Sequence, residues 1–545
     1  MGFEVRKRDA LARLSVYQRD DLTLALPAVV ETDRIFPSLE RHRLDNMPLL
    51  ADAGLAGAYH ACGDDEPVWV HPAVECPAVS GSCVMVGNWH TALAQSREYV
   101  QWLSTLKSMV PPDTAWYAPG TALPSNAAIL CYSGFDLFDY QGVDLASAQG
   151  LYCLPEGTFP AEWMESEACT CEGCRDGDIF RHNRYALEKE LALVRRFIGE
   201  ARLRDLVESR CRFFPPQVAI LRLLDSARSL MEPAVPVARS VPLLATTGES
   251  LHRFEVTRFA ERVIGRYSPP VAETAVLLPC SAHKPYSLSA SHRRFIPVIA
   301  GRAHELILTS PLGLVPRELE LVYPAAHYDV PVTGYWDAEE RERIAAILAG
   351  YLAKNPYKRV IAHLEGGALA TAEMAADAAG ITLECTCSGH PASSQSLTAL
   401  DAALVGERKV RHDLVRGTGL WQFGAEIAAK GLFLKGRYPQ VMAYRGKDPL
   451  FSLDTGTGLL RPTLKGWELI PTGYRVTIDD FIPQGDILAP GVIDADPAIR
   501  EGDEVFVTGP GVEASGRAAM PAGEMLRSSR GVAVRVRKVK RIQQL

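Results

Sequence analysis

Between residues 275 and 380 the chain alternates short apolar runs with longer amphipathic stretches. AVLLPC comes first, then HELILT (His304–Thr309), AEERERIAAILAGYLAKN (Ala338–Asn355), RVIAHLEGG (Arg359–Gly367) and ALATAEMAADAAG. Apolar runs of strand length followed by patterns of helical period predict a mainly parallel sheet covered by helices. In such sheets, sites form beyond the carboxyl ends of the strands. Upstream, LALPAVV (Leu24–Val30) and VWVHPAV (Val68–Val74) read as strands, as does AAILCY (Ala127–Tyr132), which leads into GFDLFDY. SREYVQWLSTLKSMV (Ser96–Val110) reads as an amphipathic helix, with Tyr99, Leu103 and Leu106 on one face. One long helix is expected over Asn183–Glu208. After residue 405 the pattern shortens to strands and turns in RYPQVMAYR, LLRPTLKGWELI and YRVTIDDFI. A proline-rich break at 232–250 separates the first two parts.

Length sets the scale. At 545 residues, and ~150 residues per domain, three to five domains are expected. The net charge of -7 excludes a whole-chain basic field, so any nucleic-acid site must be local. MGFEVRKRDALARL lacks the apolar core of a signal peptide, and no run approaches the ~18 apolar residues of a membrane span. A cytoplasmic, non-membrane protein is expected, with its twelve cysteines reduced.

Clustered cysteines in that setting point to metal or catalysis. CTCEGCRDGDIFRHN places Cys169, Cys171 and Cys174 at C-x-C-x2-C spacing, with His182 eight residues on. Thiolates so spaced converge from one turn on a tetrahedral Zn²⁺, and four protein ligands make that zinc structural. ECTCSGH (Cys385, Cys387, His390) offers only two thiols beside an apolar strand, and buried free cysteine is the better reading there. The densest stretch is PCSAHKPYSLSASHRRF (Pro279–Phe295). It holds Cys280, His283, Lys284, Tyr286, Ser287, Ser289, Ser291 and His292 within thirteen positions, and grouped titratable residues of this kind mark a functional loop.

GFDLFD, preceded by YAPG (Tyr117–Gly120) and followed by C-x-C-x2-C and HN, resembles the tRNA-guanine transglycosylase family. That resemblance implies a (β/α)8 barrel with a zinc subdomain, zinc on Cys169, Cys171, Cys174 and His182, and a nucleophilic aspartate at Asp139. The family's acid/base loop, D-S-G-G/S-F-Q, is missing. MVGNWHTAL (Met85–Leu93) stands in the corresponding place without an Asp. General acid–base help is worth ~10²–10⁴, so Asp136 and Asp139 are expected to bind the base without exchanging it.

GDILAPGV, IREGDEV and the basic GVAVRVRKVKRI resemble a PUA domain, a small RNA-binding β-barrel. Val532, Val534 and Val536 alternate with Arg535 and Arg537, which puts the valines inward. Arg535, Arg537, Lys538, Lys540 and Arg541 are candidates for tRNA phosphates, against the plainer reading of a solubilising edge strand.

With these flanks, P-C-x3-K-P-Y-x2-S-x2-H resembles the archaeosine synthase family, a transglycosylase paralogue with a PUA domain. The implied substrate is tRNA carrying 7-cyano-7-deazaguanine at position 15 in the D-arm. The implied reaction adds lysine to its nitrile. Implied partners are tRNA, lysine and a radical-SAM protein, and a homodimer is expected. Cys280 is then the candidate nucleophile, with a pKa lowered by Lys284 or His292. His292 is the candidate base, and Tyr286 and Ser289 are candidates to orient the amino acid or to donate to the developing imidate. Glu318, Glu320, His327 and Asp329 are candidates for the lysine amines, with solvated carboxylates as the plainer reading of Glu318 and Glu320.

The expected architecture is an α/β multidomain chain. Residues 1–235 form a degenerate (β/α)8 TIM-like barrel with the zinc site, and 236–404 a second α/β sheet domain with the Cys280 motif. Residues 405–467 form a small α+β linker domain, and 468–545 the PUA β-barrel. Competing readings are a base-exchanging transglycosylase, disfavoured by the missing acid loop, and a non-catalytic tRNA-binding scaffold, disfavoured by the Cys280 motif.

Overall fold

The computed structural model describes residues 2–37, 39, 48–59, 67–75, 81–166, 169–331, 335–427 and 431–542. The chain folds as two compact units. The first is Met1–Pro236 with Asp486–Glu501 and Ala519–Val534; the second is Val237–Gly485 with Gly502–Ala518 and Arg535–Leu545. No helix among the described residues is long and apolar enough to cross a membrane.

The first unit opens with an antiparallel three-stranded sheet, Gly2–Asp9, Ala12–Arg19 and Leu22–Leu26. LALPAVV breaks at Pro27, which has no N–H to donate to a ladder. Its second half, Ala28–Val30, joins a different sheet. That sheet has five parallel strands in the order Ala28–Val30, Leu137–Asp139, Ala115–Tyr117, Cys83–Met85, Val68–Trp69. The first strand in the chain lies beside the last, and the other three follow in reverse chain order.

Two sequence expectations fail here. AAILCY is a helix, Ala127–Tyr132, with all six residues buried; a short run apolar on every side carries no period to separate strand from helix. The long helix is two, Ile179–Gly199 and Leu203–Cys211, broken where Ala201 takes φ 58, a left-handed conformation that a helix cannot contain.

In the second unit, Thr274–Pro279, His304–Thr309, Arg359–Ala362 and Leu383–Cys385 pair in parallel, and Gly313–Pro316 adds an antiparallel edge. The order across the sheet is Gly313–Pro316, His304–Thr309, Thr274–Pro279, Arg359–Ala362, Leu383–Cys385. The first five residues of the central Thr274–Pro279 strand are buried, as expected for a sheet covered on both faces. Phe254–Gly265, His292–Ile299, Ala338–Lys354 and Gly366–Ala379 are its main helices. The chain leaves the Thr274–Pro279 strand toward one edge and later returns to its other side at Arg359–Ala362. The topological switch point therefore falls between these two strands, where a ligand crevice opens at their carboxyl ends.

Further along, helix Leu414–Phe423 precedes a four-stranded antiparallel meander: Leu432–Arg437, Gln440–Arg445, Asp448–Leu453 and Leu460–Pro462. LLRPTLKGWELI is only half strand, since Leu464–Trp467 is helical behind the Thr463 cap. Near the C-terminus, Glu504–Gly509 pairs antiparallel with Val512–Ala518 and parallel with Arg475–Ile478.

Candidate functional site

Cys280 is the first residue past the Thr274–Pro279 strand, at the switch point. It lines a cavity of about 720 Å³. The other walls come from Ala245–Gly248, Ser310, the Val330–Asp337 loop and Glu365–Ala368, which opens the helix after Arg359–Ala362. Residues 332–334 of that loop lie outside the described residues. Glu340, Asp337 and Glu365 bring carboxylates to this lining, and no Lys or Arg is among the lining residues described. Ser310 donates to Glu340 at 2.6 Å, and Asp337 and Glu340 cap the Ala338–Lys354 helix reciprocally.

The motif residues divide into two groups. Lys284 is half-buried, with its ammonium 3.8 Å from the Tyr328 ring centroid. Burial pulls its pKa down, opposed by Cys280 and Asp329. Cys280 moves the other way: burial pushes the thiol up, and a Thr309 hydrogen bond and the Lys284 charge only partly offset that. The expectation of a depressed thiol is therefore not met, and Cys280 is protonated at rest. Tyr286 is fully buried, and its hydroxyl meets that of Tyr328 at 2.8 Å. Tyr328 in turn bonds Thr309, so a hydroxyl chain runs from Tyr286 to the neighbour of the thiol.

His292 and Ser289 belong to the scaffold. His292 is fully buried; its Nε2–H donates to the Pro279 carbonyl at 3.0 Å, and its Nδ1 accepts from Arg317 at 2.8 Å. With both nitrogens engaged, and the pKa lowered to about 3 by burial and by Arg317, it has no lone pair for a substrate proton. It instead anchors the residue before Cys280. Ser289 is buried and accepts from the His292 backbone N–H at 3.2 Å, so its hydroxyl is engaged in the turn that leads into helix His292–Ile299.

Glu318 and Glu320 are neither solvated nor available. Glu318 accepts from Tyr267 at 2.8 Å and contacts His304 at 3.2 Å and His412 at 2.6 Å. Burial alone would raise its pKa, but the two histidines hold it well below the usual range. Glu320 accepts from Ser287 N–H, Arg317 and Tyr438. His327 is partly buried, stacked on Tyr323. Of the four candidates for the lysine amines, only Asp329 is exposed. The carboxylates that do line the cavity, Asp337, Glu340 and Glu365, escape the sequence motifs; Asp337-x-x-Glu340, a capping box, is the available signal.

In the first unit, Cys169, Cys171, Cys174 and His182 bring their ligand atoms within 4.8 Å of one another, the only such group among the described residues. The turn at Cys171 opens helix Glu172–Asp176, and His182 lies in the first turn of Ile179–Gly199. His182 Nε2–H donates to the Cys153 carbonyl at 3.0 Å, which turns Nδ1 toward Cys174 Sγ at 3.2 Å and Cys171 Sγ at 3.4 Å. Tyr152 stacks on the imidazole at 3.9 Å. An imidazole fixed through its second nitrogen is how proteins present a metal ligand. The donor set, three soft thiolates and one imidazole, fits zinc. Cys385 is exposed and Cys387 half-exposed, so the buried-cysteine reading of that pair does not hold.

Asp136 is fully buried and bonded to Arg13 and to Trp116 N–H at 2.9 Å. It ties strands together and is not open to a base. Asp139, also buried, ends its strand. Its Oδ2 accepts from Tyr117 at 2.6 Å, and its Oδ1 from Gly120 N–H at 2.9 Å and Gln141 N–H at 3.1 Å. A carboxylate with both oxygens so occupied is a poor nucleophile.

In the final strand, Val532–Arg541, Ala533 and Val534 are both buried, so strict alternation breaks there. Arg537 is paired with Glu504 and Lys540 lies 3.5 Å from Glu513. Arg535, Lys538 and Arg541 are exposed and carry no ion pair among the described residues.

Residues 256–404 match a family described as a domain of unknown function (DUF5591), and residues 474–540 match the PUA domain family. An archaeosine synthase from Haloferax volcanii is 40% identical over 98% of this chain and 99% of its own. An archaeosine synthase subunit alpha from Methanosarcina acetivorans is 41% identical over 82% of this chain and 78% of its own. A tRNA-guanine(15) transglycosylase from Methanothermobacter thermautotrophicus is 25% identical over 81% and 68%. On near full-length identity of this order, with the PUA match beside it, the chain belongs to the archaeosine synthase family of tRNA-modifying enzymes.

Proposed function

We propose that this enzyme joins lysine to the nitrile of 7-cyano-7-deazaguanine at position 15 of tRNA, and that the chemistry takes place in the Cys280 cavity. The observation that carries the reading is a thiol at the switch point, facing a cavity whose described charged lining is wholly acidic. A nitrile needs a nucleophile, and a lysine substrate brings ammonium groups that need carboxylates. In the proposed course, Cys280 adds to the nitrile carbon, forming a C–S bond while its proton passes to the nitrile nitrogen. The lysine amine then attacks the thioimidate carbon. The C–S bond breaks, and the proton lost by the amine returns to the sulfur through Lys284, whose lowered pKa suits a proton carrier. The sum is one amine added across one nitrile, with no oxidant or reductant. Thr309, Tyr328 and Tyr286 hold the thiol and Lys284 in register.

Glu340, Asp337 and Glu365 are proposed to take the lysine ammonium groups. Norleucine, which lacks the side-chain ammonium, leaves those carboxylates unpaired. It is expected to react with kcat/KM lower by roughly 10²-fold or more, because a site built for a polar group rejects its apolar analogue. Equal kcat/KM for the two amino acids, measured by adduct formation on tRNA, would contradict this assignment.

Cys169, Cys171, Cys174 and His182 are proposed to hold a structural zinc. The first unit is proposed as a degenerate transglycosylase barrel, since its five strands keep the cyclic neighbour order of a barrel opened between Ala28–Val30 and Val68–Trp69. The domain division at 1–235, 236–404, 405–467 and 468–545 is likewise a proposal. Base exchange is disfavoured by the engaged Asp139 and the acid-free Met85–Leu93 segment. The relative named subunit alpha supports a protein partner. A radical-SAM protein that releases the amidine base, and a homodimer, are the proposed associations.

The C-terminal strand is proposed to meet tRNA phosphates through Arg535, Lys538 and Arg541, with Arg537 and Lys540 held on carboxylates. Replacing the three free cations by Gln should lower the slope of log K against log salt by roughly 2 to 3. Titrations of tRNA binding between low and moderate salt give that slope, and an unchanged one would return this strand to a solubilising role.

A further inference from the structure

The antiparallel meander 432–462 has one face whose composition neither the PUA strand nor the Cys280 cavity explains. Its edge strand, Leu432–Arg437, is exposed at every position after Leu432. The register sets Phe433 opposite Tyr444, Lys435 opposite Met442 and Arg437 opposite Gln440. Side chains alternate along a strand, so these six share one face. The other face buries Ala443 and Phe451, each 1% exposed, with Leu434 exposed on the edge strand. On the outer face the Phe433 and Tyr444 rings stack at 6.0 Å, and Phe433 is 40% exposed. The Lys435 ammonium lies 5.4 Å from the Phe433 ring and 5.0 Å from the Tyr444 ring.

The charge on this face is one-sided. Lys435, Arg437 and the turn residue Lys447 are exposed, and none is paired with a carboxylate among the described residues. Asp448, the acidic residue of these strands, is taken by Lys465 at 2.8 Å. A partly exposed aromatic pair is costly in water unless something covers it. An aromatic pair beside cations that no carboxylate neutralises matches a strand of unpaired nucleotides: bases stack on the rings, and phosphates meet the cations. Duplex RNA offers no base face to such a platform.

We propose that this sheet face is a second tRNA-binding surface, which stacks unpaired bases of the substrate on Phe433 and Tyr444 and holds their phosphates with Lys435, Arg437 and Lys447. It rests on the chain acting on tRNA and is independent of lysine addition, because it is read from binding without turnover.

The test uses the full-length protein and a tRNA transcript, with Kd measured across a salt series. Phe433→Leu with Tyr444→Leu keeps the apolar character but removes the rings. It should weaken tRNA binding by roughly 5- to 100-fold, with the salt slope unchanged. Lys435→Gln with Arg437→Gln should lower the slope by roughly 1 to 2. Phe433→Trp, which keeps a stacking surface, should bind as the parent does, showing that a loss in the Leu variant is not a folding defect. A single-stranded RNA oligonucleotide should compete for the parent's face, and a blunt RNA duplex of the same length should compete less. Variants that keep the parent Kd and slope would overturn the proposal, and so would variants whose only change is in self-association or capture of a protein partner, which would assign the face to a protein.

Discussion

Cys280→Ala is expected to abolish lysine addition while zinc content, melting temperature and tRNA affinity stay at parent values. The thiol is the only strong nucleophile among the described residues that line the cavity, and loss of a covalent nucleophile costs on the order of 10⁴ or more in turnover. Its removal should disturb the fold little, because the residue opens a loop beyond the strand and lines the cavity, outside the core. The thiol's pKa adds a sign that can be checked. It is raised from 9.0 by burial, so at neutral pH the group is a thiol. Its alkylation by iodoacetamide should quicken as pH rises, with a midpoint above that of an ordinary cysteine, because only the thiolate reacts. Lys284→Ala removes a nearby positive charge and should move that midpoint higher still. Near-normal turnover of Cys280→Ala would leave nitrile activation to hydrogen bonding, with Ser310 in the cavity lining and Thr309, which hydrogen-bonds the thiol, the next candidates.

The second large effect belongs to the metal. Zinc should be present at about one per chain, and Cys171→Ser, which removes one ligand, should lower the melting temperature of the first unit by roughly 5–10 °C. Activity should fall with it, but through instability: at a temperature where the variant is still folded, its KM for lysine should match the parent's. The physical reason is that the ligands join a turn, a hairpin and the start of a long helix (Cys171, Cys153 through His182, and His182 itself). Opening the tetrahedron frees all three at once. Elemental analysis that finds no zinc would remove this assignment.

What can be read from the sequence follows the range of the interactions. The Cys280 rim is legible because a strand and its terminus are local: AVLLP is apolar throughout, and the residue after it meets the crevice. The candidate metal ligands are legible because three of the four fall within six residues of one turn. His292 is misread because the sequence does not show that Pro279 and Arg317 occupy both its nitrogens. Glu318 and Glu320 are misplaced for the same reason, since their partners at 267, 304, 412 and 438 are far off in the chain. The acidic wall of the cavity comes from two helix starts, Asp337–Glu340 and Glu365, which only the sheet order brings to Cys280. AAILCY fails for a different reason: a helix buried on all sides has no polar face to betray its period.

The most direct measurement is mass spectrometry of tRNA bearing 7-cyano-7-deazaguanine after incubation with this protein and free lysine. The account predicts that the modified nucleoside gains the full mass of one lysine, that Cys280→Ala gives no gain, and that no base is released from the tRNA. A tRNA of unchanged mass, or one that has lost its deazaguanine to free guanine, would contradict it.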